Sequence, residues 1–184
     1  MDDTALAKAG TLRLPRLVIT GRGLAGKDLA CQFLKRQTRL RYEQSTSAAA
    51  AQVVYERYMR DRYPDAQTCW EDRRNRRIEW ARAIDEYNGP TCCQLYADML
   101  ATHDIINGIR RIVELEACRR HLLIDLVIWL ERESAPPDAS LDYGREACDI
   151  IIDNNGSKVD LYTRLLRLAK TWPGCVRREP LLPQ

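Results

Sequence analysis

The sequence is poor in histidine and has no spaced cysteine pair, and each shortage excludes a class of chemistry. Its 184 residues include two histidines and seven cysteines, at 31, 69, 92, 93, 118, 148 and 175. No CxxC pair occurs, and two histidines are too few to complete a Cys/His metal site. The vicinal pair Cys92-Cys93 forms no redox motif. Neither His103 nor His121 stands in a Ser-His-Asp or Cys-His pattern for nucleophilic catalysis. No long hydrophobic run is present. The longest, about His121 to Leu130, is broken by Asp125 and falls short of the roughly 20 residues a membrane span needs. No apolar leader follows basic residues at the N-terminus. With an odd cysteine count, this predicts reduced thiols in a cytoplasmic protein. The net charge of +3 is too small to mark a nucleic-acid binder. No internal repeat is found. The expected partner is thus neither membrane nor nucleic acid, and a homodimer is left open.

What is present is an ordinary globular composition, 45% apolar and 30% charged, at a length that suits one domain. Met1 to Gly10 reads as a frayed leader. Leu17 to Thr20 is a short β-branched apolar run ended by glycine, a buried strand. Lys27 to Arg36 has helical apolar spacing. Arg39 to Tyr42 reads as a second short strand. Ser45-Thr46-Ser47 caps a helix that runs to about Tyr63, before Pro64. Trp70 to Tyr87 reads as one charged helix, and Gln94 to Thr102 as a shorter one. Asp104 to Ile109 reads as a strand, Ile112 to Arg120 as a helix, and Leu122 to Leu130 as a strand covered on both faces. Residues 133–147 hold Pro136-Pro137 and no period, which predicts a lid-like loop. Cys148 to Ile152 is the last strand and Lys158 to Lys170 the last helix. The tail from Pro173 to Gln184 reads as loosely held. Strands alternating with helices predict an α/β fold with a parallel sheet, whose ligands sit beyond the carboxyl ends of the strands. Gly21, Gly108, Arg132 and Asn154 all fall at such ends.

Gly21-Arg22-Gly23-Leu24-Ala25-Gly26-Lys27-Asp28 matches G-x-x-x-x-G-K, followed by Asp where Ser or Thr is usual. The glycines let the backbone curl so that N–H groups face phosphate oxygens, and the following helix adds its positive end. Lys27 places a charge on the β- and γ-phosphates of a nucleotide. Two readings stand for Asp28. It ligates Mg²⁺ in place of the usual hydroxyl, or it is an acidic residue favoured in a helix's first turn.

This loop resembles that of bacteriophage deoxynucleoside monophosphate kinases, in which Asp commonly follows the Lys. The likeness extends through Trp70-Glu71-Asp72-Arg73-Arg74-Asn75-Arg76-Arg77, Glu79-Trp80 and Tyr87-Asn88, which look like the helical substrate region of those proteins. It continues through Asp104-Ile105-Ile106-Asn107-Gly108-Ile109-Arg110, Glu114 to Ala117, Val127 to Arg132 and Cys148 to Ser157, and covers about residues 16–168. The last segment is also similar to dephospho-coenzyme A kinases. The resemblance implies a three-layer P-loop NTPase fold with about five parallel strands. Its core would be 11–42 and 103–172, with a helical monophosphate-binding insertion at 43–102. It implies ATP and Mg²⁺ as cofactors and a deoxynucleoside monophosphate as acceptor. Where many such kinases carry Asp-Gly, this chain has Asn107-Gly108, which shifts the metal-side weight to Asp28. Arg110 matches the arginine that grips the acceptor phosphate.

Phosphoryl transfer needs positioned phosphates and surrounding positive charge, and the arginine fork supplies it. Lys27, Arg110 and Arg132 are therefore the candidate catalytic residues, Arg132 as a lid residue. Arg73 and Arg77 join Arg110 as candidate substrate contacts, and Asn155-Gly156 as a border to the adenine. Each has a plainer alternative. Arg110 pairs with Glu114 along a helix. Arg132 is an exposed strand end. The arginines at 73, 76 and 77 share a helix face while Arg74 lies aside, and some are solvated or paired with Glu71, Asp72 and Glu79. Trp70 and Trp80 are packing residues rather than stacking platforms. Asn155-Gly156 is a turn before the last helix.

Overall fold

β1 (Leu17–Thr20) is fully buried along its whole length. An unbroken apolar run of this kind fits the centre of a sheet covered on both faces. β2 (Ile105–Asn107) lies on one side of it and β3 (Leu126–Glu131) on the other, with β4 (Ile150–Asp153) beyond β3. All pairings are parallel, with Val18 opposite both Ile106 and Val127, and Trp129 opposite Ile151. The computed structural model describes residues 13–73 and 75–179. The leader expected at Met1 to Gly10, the placing of Arg74 and the tail residues 180–184 lie outside the described residues.

Alternation along each strand divides the core in two. Leu17, Ile19, Ile128, Leu130 and Ile152 meet α1 (Lys27–Gln37) and α7 (Lys158–Ala169) through Leu34, Leu161 and Leu165. Phe33 stacks on Tyr162 with centroids 4.1 Å apart. Val18, Ile106 and Val127 meet α5 (Gln94–Thr102) and α6 (Ile112–Arg120) through Tyr96, Leu100, Leu115 and Cys118. Each fully buried leucine adds about 1.5–3 kcal/mol of burial energy. α2 (Thr46–Val54), α3 (Ala66–Asp72) and α4 (Arg77–Asn88) build a third cluster from Val54, Met59, Cys69, Trp80 and Ala83, joined to α5 through Leu95 and Met99. Two helix caps are formed, the first of them as the sequence predicts. The Ser45 hydroxyl accepts from Ala48 N, and Ser157 and Asp160 cap α7 reciprocally. Among the described residues no helix is long and apolar enough to cross a membrane.

Several expectations are corrected. Among the described residues the sheet has four strands, where about five are expected. Arg39 to Tyr42 runs beside β2 but does not join it, because a side chain intercepts the ladder. Arg41 O accepts from the amides of Asp104 and Ile105, while Arg41 N donates to Asp104 Oδ2 at 2.8 Å. Upstream, Thr38 pairs with Val176, and Arg39 N donates to Cys175 O at 2.8 Å. The tail through Cys175, which is buried, is therefore held rather than loose. The helix expected from Trp70 to Tyr87 is broken between Asp72, where α3 ends, and Arg77, where α4 begins. There the Asp72 carboxylate takes bonds from Tyr63 Oη and Asn75 Nδ2 (2.5 and 2.6 Å), and its carbonyl accepts from Asn75 N in a tight turn. The helix after Ser45 turns into a π-helical turn at Tyr55–Met59. β3 starts at Leu126 rather than Leu122, because Leu122 has φ +54° and closes the turn after α6.

Candidate functional site

The loop between β1 and α1 is shaped by two contacts that only glycine permits. Gly21 has φ +136°, and a Cβ there would stand 2.7 Å from Leu130 O of β3. Gly26, the N-cap of α1, has φ +92°, and its Cβ would stand 2.8 Å from Asn154 Nδ2. Asn154 is buried just past β4. Its side-chain amide donates to Ala25 O at 2.8 Å, and its backbone N–H donates to Glu131 O at 2.7 Å. The loop is thus clamped between the ends of β1, β3 and β4. Sequence reasoning set Asn154 at a strand end but gave the adenine border to Asn155 and Gly156. Asn155 instead ties the loop after β3 to β4, accepting from Glu133 N at 2.8 Å. Gly156 sits against the Asp160 carboxylate of the α7 cap.

Lys27 begins α1 and curls back over the loop, donating to Gly21 O at 2.8 Å and Arg22 O at 2.7 Å. Burial lowers its ammonium from the ordinary lysine value to about 8, helped by the charge of Arg110 and opposed by Asp138 and Asp28. Lys27, Arg110, Asp138 and Asp28 therefore share one electrostatic neighbourhood.

Asp28 is exposed in the first turn of α1 and accepts a short hydrogen bond from Asn107 Nδ2. Asn107 Oδ1 in turn accepts from Thr46 N at 2.9 Å, at the start of α2. Because Thr46 N can only donate, the amide orientation is fixed, and its NH₂ is the end left for Asp28. An Asp at 107 could not donate to Asp28, so the two departures from the usual pattern are physically paired.

Arg110 follows β2 and does not pair with Glu114. Glu114 is buried, bonded by Asn88 Nδ2 at 3.1 Å and Tyr96 Oη at 2.8 Å, and burial raises its carboxyl above the ordinary range. Arg110 instead forms an ion pair with Asp138, a residue that nothing in the sequence marked, since 133–147 has no period. Asp138 Oδ1 accepts from Ser140 N and Oγ at 3.2 and 2.6 Å. Burial pushes the Asp138 carboxyl up, but Ser140 and the charge of Arg110 outweigh it and hold it below the ordinary range. The same segment is stitched down at further points. Asp142 N donates to Arg110 O at 3.1 Å, and Tyr143 Oη donates to Ile109 O at 2.8 Å while lying 2.9 Å from Thr20 Oγ1.

No protein-family model matches the chain. No curated protein matches it in sequence. The site is therefore read from its own geometry.

Arg132 is exposed and its Nε donates to Ser134 Oγ at 3.2 Å. Arg73 donates to Trp70 O at 2.9 Å and stacks over the Trp70 ring at 4.0 Å. Arg77 is exposed at the start of α4, and the break between α3 and α4 removes the shared helix face expected for it and Arg73. Arg76 pairs with Asp72 and Glu79. Beside the loop, a cleft of 580 Å³ opens under residues 138–146, lined by Arg22, Trp129, Glu131, Asp138, Tyr143 and Arg145 among others. Among the described residues, no three His, Cys, Asp or Glu side chains gather into a metal-binding group.

Proposed function

We propose that the chain is a P-loop kinase that transfers the γ-phosphoryl group of ATP to a nucleoside monophosphate, a deoxynucleoside monophosphate by its likeness to the phage enzymes. The observation that carries this reading is the convergence of Lys27 and Arg110 at one sheet edge, over a glycine loop that opens a helix. In-line transfer requires two phosphates held head to head among fixed positive charges. Lys27 serves the donor's β- and γ-phosphates, and the first amides of α1 add their dipoles. Arg110 serves the acceptor phosphate, and the helices at 46–102 form the acceptor side.

The residues fit ATP: the path of the loop is fixed by close contacts at Gly21 and Gly26 that leave no room for a Cβ, and Lys27 reaches its rim. They fit Mg²⁺ through Asp28, with phosphate oxygens and water completing the shell, a common arrangement for this ion. Mg²⁺ bound there would neutralise charge developing on the transferred group.

A second reading is favoured by the Asn107–Asp28 bond, which engages the carboxylate assigned to the metal. In that reading the chain binds nucleotide without turnover. One assay separates the two. Purified protein is mixed with MgATP and each deoxynucleoside monophosphate, or dephospho-coenzyme A, and ADP release is followed. Release with a monophosphate, abolished by Lys27→Ala, is the expected result. Nucleotide binding that Lys27→Ala leaves intact defeats the loop assignment, and binding without release under any acceptor favours the second reading.

A further inference from the structure

We infer that Asp138 is an internal competitor for the phosphate seat at Arg110, so that residues 138–140 lie closed over the site and a phosphate group displaces them. The inference rests on the proposed nucleotide site and adds a regulatory contact to it. Both cations of that site are already partnered by the protein's own oxygens. Lys27 spends its bonds on the Gly21 and Arg22 carbonyls, and Arg110 spends one fork nitrogen on Asp138. The carboxylate lies against the glycine loop itself, with Asp138 Oδ2 3.5 Å from where a Cβ on Gly23 would be. Its side chain is 16% exposed, against 37% for that of Arg110, so the pair is partly withdrawn from water.

A carboxylate in this position cannot remain when phosphate arrives, because like charges in a partly dry site repel. The exchange favours phosphate. A monophosphate ester carries nearly two charges at neutral pH and offers three oxygens to the arginine fork, whereas the carboxylate carries one charge. The residue is also placed where it can leave cheaply. The β3–β4 crossover, residues 132–149, contains one short 3₁₀ turn, Arg145–Ala147, among its described residues and no α-helix. Moving 138–140 breaks no sheet ladder, while Asp142 and Tyr143 keep the segment tethered to Arg110 O and Ile109 O.

Asp138→Asn is the test, because Asn keeps an oxygen for Ser140 while losing the charge. Calorimetric titration with sodium tripolyphosphate and with the four deoxynucleoside monophosphates is compared in wild type, Asp138→Asn, Arg110→Ala and the double variant. Asp138→Asn is expected to bind about fivefold to tenfold more tightly. The gain is expected to vanish in the Arg110→Ala background, since the competition is for that side chain. Backbone amides at 139–141 are expected to exchange faster in Asp138→Asn, and in wild type once a monophosphate is bound. Equal or weaker binding by Asp138→Asn overturns the proposal, as does a gain that persists without Arg110. If no phosphate compound binds either protein, the nucleotide reading fails, and unchanged exchange at 139–141 in Asp138→Asn then overturns the latch by itself.

Discussion

The two halves of the site are built by different means. The Lys27 half is made mostly of backbone: a left-handed glycine at each end, one strand carbonyl, Leu130 O, packed against the first, and one buried amide, Asn154, bolting the loop to β4. The Arg110 half is made of side chains, an ion pair and a tyrosine hydroxyl reaching across from a segment without an α-helix. Steric exclusion tolerates no substitution, whereas a side-chain contact can be exchanged for a ligand. The first half is a fixed seat and the second a replaceable one. This predicts that damage to the first half appears as lost stability, and damage to the second as altered mobility and binding.

The largest effect should come from Gly21→Ala. It sets a Cβ against Leu130 O in a positive-φ position, and a loss of about 3 kcal/mol or more is expected in urea unfolding. A loss under about 1 kcal/mol would mean that the loop is not fixed by the strand beside it. Next is Asn154→Ala, which strands the buried Ala25 carbonyl; about 1–3 kcal/mol is expected from the same measurement. Asn155→Ala, by contrast, should cost well under half as much, since its bonds are exposed.

A third test sharpens the comparison through pH. Lys27 titrates near 8 in the folded chain, below its ordinary value, so it loses its proton before the unfolded chain does. Between these values the unfolded state holds more protons, and this group's contribution makes stability rise with pH. Phosphate affinity moves the opposite way. Tripolyphosphate binding should weaken by up to about tenfold per pH unit above pH 8, and Lys27→Arg should flatten that dependence. A wild-type profile that is level through pH 9 would place the phosphate charge elsewhere. A modest effect belongs to the second half. Tyr143→Phe removes the bond to Ile109 O at the cost of about 0.5–1.5 kcal/mol and should speed amide exchange through 138–143 without shifting the exchange of β1.

The same division explains what the sequence made legible. The fully buried run of β1, the Gly21–Lys27 spacing, the Ser45 cap and the leucine stripe of α7 are local patterns, and each is where its residues predicted. Three features escaped because they depend on contacts distant in sequence. Arg39 to Tyr42 has strand composition, yet Asp104 supplies a carboxylate to the amide that would have extended the ladder. Trp70 to Tyr87 has helical composition, but Asp72 is drawn into bonds with Tyr63 and Asn75 that turn the chain. Asp138 stands in a stretch with no period at all. Its role comes from Arg110, 28 residues earlier in the chain. Arg110 itself was read from a resemblance, and its partner from nothing in the sequence.

The Asn107 side chain has a consequence for how the molecule can move. An amide has two unlike ends, and here the oxygen end is committed to the first turn of α2. Anything that draws Asp28 toward a cation therefore leaves the nitrogen end idle in a buried spot, and the amide cannot rotate to recover without releasing α2. The carboxylate at the start of α1 and the helices that follow it are thus geared through a single planar group, so that a change at one registers as tension at the other.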